Sequence, residues 1–277
     1  MQNKLSISNI AWTRPEDDKV YLLMQQYGFR NLEIAPSRIW DNPYEQTMDE
    51  KERFKELLQT YGINVVAFQS LLFNRPDLTL FTTKESREAL FEHLNRNIIL
   101  AKELGAKVLV FGSPKNRVIG NTDKQTAQNI SLEFFSRIGK LAAENGVFFC
   151  IEPNPHVYET DFICTTEEAI NLVRTVDHPN FKLNIDLGTI EANDENLEKT
   201  LDHAIPYARH FHISEPFLKK IKLNQNKHKQ IRTILEKAQH HFAISIEMKT
   251  PEETERLSVI ESTLSFVSDT YGPNYSR

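Results

Sequence analysis

The sequence predicts a single (β/α)8 barrel, and three observations point there. Eight short runs rich in Val, Ile and Phe recur along 277 residues. Segments with apolar spacings of three and four separate them, the period of a helix packed on one face. The length suits one large α/β domain, and no Gly-, Ser- or Pro-rich linker or low-complexity tract divides residues 1–277.

In order, the strand runs are Leu5–Trp12, Asn31–Ala35, Ile63–Phe73, Lys107–Gly112, Val147–Glu152, Phe181–Leu187, Arg209–Ser214 and Phe242–Met248. Each is short, and many are bounded by Gly, Pro or Asn. Helical periodicity is clearest in three places. Glu50–Tyr61 aligns Phe54, Leu57 and Leu58; Leu90–Leu104 aligns Leu90, Leu94, Ile98, Ala101 and Leu104; Leu132–Ala143 aligns Leu132, Phe135, Ile138 and Leu141. Gly28, Gly62, Gly105 and Gly146 follow periodic segments and precede strands, where a left-handed helix stop is wanted. Thr165-Thr166-Glu167-Glu168 reads as a helix start, a hydroxyl cap followed by acids in the first turn. An open doubly wound sheet is the competing architecture. It lacks support, because no Gly-x-Gly-x-x-Gly turn follows the first strand and no Walker-type loop is present.

Composition narrows the function. Apolar residues at 40% and charged residues at 26% describe a soluble globular enzyme and exclude a disordered or collagenous chain. With 33 Lys+Arg against 38 Asp+Glu, the net charge of −5 offers no broad cationic surface for nucleic acid. Two cysteines, Cys150 and Cys164, make neither a disulfide framework nor a Cys-rich zinc site. No run approaches the ~18 apolar residues of a membrane span, and Met1-Gln2-Asn3-Lys4-Leu5 has no signal-peptide core. The expectation is a soluble, cytoplasmic protein with no membrane partner.

The last four strands alternate polar and apolar residues. Phe148, Cys150, Glu152 and Asn154 share one face, as do Asn184, Asp186 and Gly188, then His210, His212 and Ser214, then Ala243, Ser245, Glu247 and Lys249. The opposite faces carry Phe149 and Ile151, Leu183 and Ile185, Phe211 and Ile213, Ile244 and Ile246. In a parallel barrel the apolar face packs on the helices, so the polar face looks inward. Glu152, Asp186 and Glu247 then meet at one mouth beside His212. Carboxylates that close raise one another's pKa, and an unpaired buried carboxylate is costly. A divalent cation answers that cost, and an oxygen-rich site with one nitrogen suits Mn²⁺, Mg²⁺, Co²⁺ or Zn²⁺. Separate ion pairs, Glu247 with Lys249 or Glu152 with Arg117, are the alternative.

Ile151-Glu152-Pro153-Asn154-Pro155, Asn184-Ile185-Asp186-Leu187-Gly188-Thr189, His210-Phe211-His212-Ile213-Ser214-Glu215 and Ser245-Ile246-Glu247-Met248-Lys249 resemble the four ligand-bearing strand ends of the xylose-isomerase-like barrel superfamily. Its members include sugar phosphate isomerases/epimerases, ketose 3-epimerases, inosose dehydratase and type IV apurinic endonuclease. Leu32-Glu33-Ile34-Ala35-Pro36 and Val108-Leu109-Val110-Phe111-Gly112 are similar to the family pattern too. The four ligand positions are spaced by 34, 26 and 35 residues, and the resemblance covers essentially the whole chain. It implies that Glu152, Asp186, His212 and Glu247 hold one divalent metal ion. It also implies that Glu152 and Glu247 transfer protons through an enediolate on a sugar or sugar phosphate. The same site would serve a dehydratase by β-elimination of water, and a barrel without catalysis would bind sugar alone. The implied partner is a small-molecule carbohydrate, and a homo-oligomer is compatible with the family.

The chain departs from the family at three places. Thr189 stands where many epimerases have His, Gln69 where several relatives have His, and Pro216-Phe217-Leu218 where ketose 3-epimerases carry Arg. These departures count against DNA repair and a ketose 3-epimerase. As substrate-binding residues the sequence offers Trp12 for stacking, Gln69 and Glu33 for hydroxyls, and Asn154 and Lys249 two residues beyond the glutamates. Lys219, Lys220, Lys222, Lys227, Lys229 and Arg232 form either a basic rim for an anionic group or a solvated helix face. His210 lies one layer below His212 and is expected to be a satisfied core histidine, with Cys150 deeper still and inert.

Overall fold

A computed structural model describes residues 4–250 and 254–272. Eight parallel strands close in sequential order: β1 Leu5–Ser8, β2 Asn31–Ile34, β3 Asn64–Phe68, β4 Val108–Phe111, β5 Phe148–Ile151, β6 Phe181–Asp186, β7 Ala208–Ser214 and β8 Ala243–Glu247. Closure is made by β1 against β8, with Leu5, Ser6 and Ile7 opposite Ile244, Ser245 and Ile246. Helices α1 Asp17–Gln26, α2 Pro36–Ile39, α3 Met48–Thr60, α4 Lys84–Glu103 and α5 Lys124–Glu144 connect the first five strands. Helices α6 Thr166–Val176, α7 Leu187–Ala192, α8 Leu197–Ala204, α9 Gln225–Lys237 and α10 Arg256–Tyr271 complete the shell. The expected barrel is the observed one. None of the described helices is long and apolar enough to cross a membrane.

Local chemistry sets the element ends. Gly28, Gly62, Gly105 and Gly146 all take positive φ, from 66° to 83°. Thr165 accepts from the Glu168 amide at 3.2 Å while the Glu168 carboxylate reaches back to the Thr165 amide at 3.3 Å, a capping box that starts α6. Two strands stop short of the expected runs. β1 ends at Ser8, because Asn9–Ala11 turns into a 3-10 helix and the Asn9 side chain accepts from the Ala35 amide at 2.8 Å. β3 ends at Phe68, since Ser70 enters the left-handed region at φ 52° and turns the chain away from β4.

The alternation sorts as expected. Phe149, Ile151, Leu183, Ile185, Phe211, Ile213, Ile244 and Ile246 join the large apolar layer between sheet and helices. Cys150 instead packs with Ala67, Val108 and Val110 in a small cluster of its own, beneath the polar groups of the barrel interior. Burial pushes its thiol well above the ordinary range, so it is inert.

Candidate metal centre and active site

The polar faces of β5 to β8 deliver their last side chains to one mouth. A cavity of about 700 Å³ opens there, lined at the strand ends by Gln69, Gly112, Glu152, Asp186, Ser214 and Glu247. His212 is fully buried just beneath it. Its Nδ1 lies 3.0 Å from Glu152 Oε1, 3.2 Å from Glu247 Oε2 and 4.0 Å from Asp186 Oδ2. One donor atom from each of the four residues lies within 4.8 Å of the other three. The four sequence-predicted ligands therefore converge.

Neighbouring strands hold the carboxylates in place. The Asn184 amide donates to Glu152 Oε1 at 2.7 Å, and Asn154 donates to Glu152 Oε2 at 3.3 Å. Asp186 caps α7, accepting from the Thr189 amide at 2.6 Å, and Ser214 Oγ donates to its other oxygen. Gly112 gives Glu152 its room: a Cβ at that position would run into Glu152 Oε2. The ion-pair alternative is not what forms. The described residues show no salt bridge between Lys249 and Glu247, and Arg117 donates to the main-chain oxygen of Glu152 at 2.7 Å, not to its carboxylate.

Electrostatics reflect the crowding. Burial pushes Glu247 up to about 7, against the pull of His212, with Glu152 and Asp186 adding to the rise. Burial and the Glu152 charge also raise Asp186. Burial would raise Glu152, but its bond to His212 and that ring's charge hold it low. His212 is held well above its ordinary value: burial opposes its charge, and Glu247 and Glu33 override burial. In this geometry a proton on His212 does part of the work of a cation. The donor set, three carboxylates and an imidazole nitrogen around one point, fits a divalent ion.

The other sequence-predicted residues divide. Gln69, Asn154 and Lys249 line the cavity. Gln69 Nε2 donates to Ser8 Oγ at 2.5 Å, and Asn154 Oδ1 has no partner among the described residues. Trp12 does not line the cavity. The 3-10 turn after β1 carries it aside, where it is 3% exposed and donates its indole N–H to Asp17 at 2.7 Å. Glu33 is also corrected as a binder of substrate hydroxyls: it is fully buried, with Oε1 3.0 Å from His210 Nε2 and 3.1 Å from His212 Nε2. Of the basic rim, Lys222 pairs with Glu191 and Glu215, Lys227 with Glu191 and Arg232 with Glu236.

Tyr158 was missed by the sequence reading. It lines the cavity, and its hydroxyl accepts from the Phe217 amide at 2.8 Å, leaving its own hydrogen free to donate. No periodic signal marks a loop residue of this kind. Asn184 and Ser214 lay on the inward faces and needed only their partners to be known.

Residues 22–267 match the family model described as the xylose isomerase-like TIM barrel. Over 93 residues the chain is 29% identical to D-psicose 3-epimerase of Ruminiclostridium cellulolyticum, a stretch spanning 34% of this chain and 31% of that protein. Two solved structures align along nearly the whole chain. D-psicose 3-epimerase from Clostridium cellulolyticum H10, with D-tagatose, gives a TM-score of 0.80 at 17% identity, covering 98% of this chain and 100% of that one. The IOLI protein with a bound zinc atom gives 0.72 at 17% identity, covering 99% and 100%. At these identities the likeness speaks for the fold.

Proposed function

The chain belongs to the xylose isomerase-like TIM barrel family, and from that premise we propose that it is a divalent-metal-dependent sugar isomerase or epimerase. The convergence of Glu152, Asp186, His212 and Glu247 on one point carries this reading. These four residues would hold the ion, which supplies Lewis-acid polarisation of a carbonyl and its neighbouring hydroxyl. The similarity to sugar 3-epimerases supports a ketose or a related keto-sugar as the substrate class.

Glu152 and Glu247 stand at the ends of β5 and β8, which are not neighbours in the sheet, and in this reading a substrate carbon bound between them would meet a carboxylate on each face. One takes the proton next to the carbonyl and the other returns one, the step that an enediolate requires. Asn184 and Asn154 keep the Glu152 oxygens oriented for this transfer. Gln69, Asn154, Tyr158 and Lys249 line the cavity and would receive substrate oxygens.

The test is a screen of free and phosphorylated ketoses in D₂O with Mn²⁺ or Co²⁺ restored. Glu152→Gln and Glu247→Gln are expected to abolish both turnover and deuterium incorporation while circular dichroism stays unchanged. Near-wild-type rates in either variant would refute the two-glutamate mechanism. A product lighter by one water would identify the site as a lyase.

A further inference from the structure

Glu33 is the deepest carboxylate of the barrel, and nothing in the proton-transfer scheme uses it. It is fully buried, and burial of an ionised carboxylate is tolerated only where the surroundings compensate. Three side chains do so. Oε1 lies between His210 Nε2 at 3.0 Å and His212 Nε2 at 3.1 Å, and Oε2 accepts from Ser245 Oγ at 2.7 Å. The His210 and His212 rings stand nearly perpendicular, at 85° with centroids 5.1 Å apart, so both can address one oxygen. The bond engages the far nitrogen of His212 and leaves Nδ1 facing Glu152 and Glu247.

We propose that Glu33 is a positioning residue for the metal centre: it fixes the rotation and tautomer of His212, with Nε2–H turned into the barrel and the Nδ1 lone pair at the mouth. A ligating imidazole whose second nitrogen donates to a carboxylate is oriented and made more basic, and loss of such a partner typically costs ~10- to 100-fold in metal affinity. Ser245 donates to Glu33 in turn, and the His210 ring lies against it. The alternative, a second ion held by Glu33, His210 and His212, is geometrically open, because those three also bring donor atoms within 4.8 Å of one another. It would take both ring nitrogens of His212 as ligands, which the hydrogen-bonded arrangement does not require.

The inference rests on the four-residue metal site, and metal binding measured without substrate tests it. Wild type, Glu33→Gln, Glu33→Ala and Ser245→Ala are titrated with Co²⁺ against a competing chelator, and the visible Co²⁺ spectrum is recorded at saturation. Wild type is expected to bind one Co²⁺ per chain. Glu33→Ala should bind roughly 10- to 100-fold more weakly, with a shifted spectrum. Glu33→Gln should fall between, because its amide oxygen still accepts from His212 but carries no charge. Ser245→Ala, which keeps the carboxylate and opens almost no cavity, should weaken binding by less, in the same direction. Wild-type affinity and spectrum in both Glu33 variants would overturn the proposal. So would a second Co²⁺ that disappears in Glu33→Ala or His210→Ala. A wild-type protein that binds no Co²⁺ would instead sink the metal site itself.

Discussion

Gly112→Ala should disable the proposed metal site without replacing any of its ligands. The added methyl would clash with Glu152 Oε2, so the carboxylate must rotate or withdraw. Its other oxygen is held by Asn184 at 2.7 Å and His212 at 3.0 Å, and a rotation that relieves one oxygen strains both contacts. A hydrogen bond to a charged group is worth about 1.5–3 kcal/mol, so losing the Asn184 bond weakens metal binding by roughly 10- to 150-fold. Overpacking costs a further ~1–3 kcal/mol of stability. Co²⁺ affinity by chelator competition is the assay, with urea unfolding of the metal-free protein as the control. An unchanged affinity would show that Glu152 has slack at this wall, and the argument that its placement is fixed would fail.

Other predictions concern charge and strain. Burial, with the nearby Lys227 charge, holds His228 down to about 4, and its Nδ1 lies 2.7 Å from the Tyr271 hydroxyl. Below its unfolded value of about 6.5, the unfolded chain binds a proton that the folded chain refuses. Stability attributable to His228 is therefore complete above ~6.5 and is lost toward ~4, by about 2 kcal/mol at pH 5. His228→Gln should lose that share of the difference between urea midpoints at pH 7.5 and pH 5, and an unaltered difference would refute it. Phe217, a residue 60% exposed that lines the cavity, sits at φ 62°. Phe217→Gly removes left-handed strain of about 1–2 kcal/mol at little packing cost, so the melting temperature should hold or rise; a drop of several degrees would contradict this. The environment of Glu247 disfavours its charge, raising it to about 7. At pH 8 that ionised group destabilises the metal-free fold by about 3 kcal/mol. Metal-free Glu247→Gln should then unfold at higher urea than wild type while losing Co²⁺ binding, and a lower midpoint would show that its bond to His212 outweighs the repulsion.

Much of the site was legible because a strand has period two and a barrel has an inside. Once Ile185, Ile213 and Ile246 belonged against helices, Asp186, His212 and Glu247 had to project inward or lie at the mouth. Depth was harder to read. Glu33 looked like a strand-end residue, but the β2–β3 register shifts between Leu32 and Glu33, and its side chain meets His210 and His212 one layer below the opening. Trp12 failed for a related reason, because β1 stops at Ser8 and the chain turns before reaching it. The Phe217–Leu218 conformation could not be read locally at all. It depends on two distant partners, the Tyr158 hydroxyl on the Phe217 amide and the Lys249 amide on the Leu218 carbonyl at 2.7 Å.

The identity of the hydrogen-bond donors explains how the barrel keeps this much negative charge available to a ligand. Asn184 on β6 serves Glu152 at the end of β5, Ser214 on β7 serves Asp186 on β6, and Ser245 on β8 serves Glu33 on β2. All three donors are uncharged. They fix the carboxylates and satisfy some of their lone pairs, yet leave the charge uncancelled. Lysine or arginine partners would also have fixed them, and would have quenched the field that attracts a cation. The one fully buried guanidinium among the described residues, Arg117, spends its bond on the Glu152 main-chain oxygen. A barrel built for stability alone would pair these acids or replace them with apolar residues. Neutral bracing around surplus negative charge makes sense if the proposed divalent ion supplies the balance, and on that reading occupancy of the site would stabilise the fold.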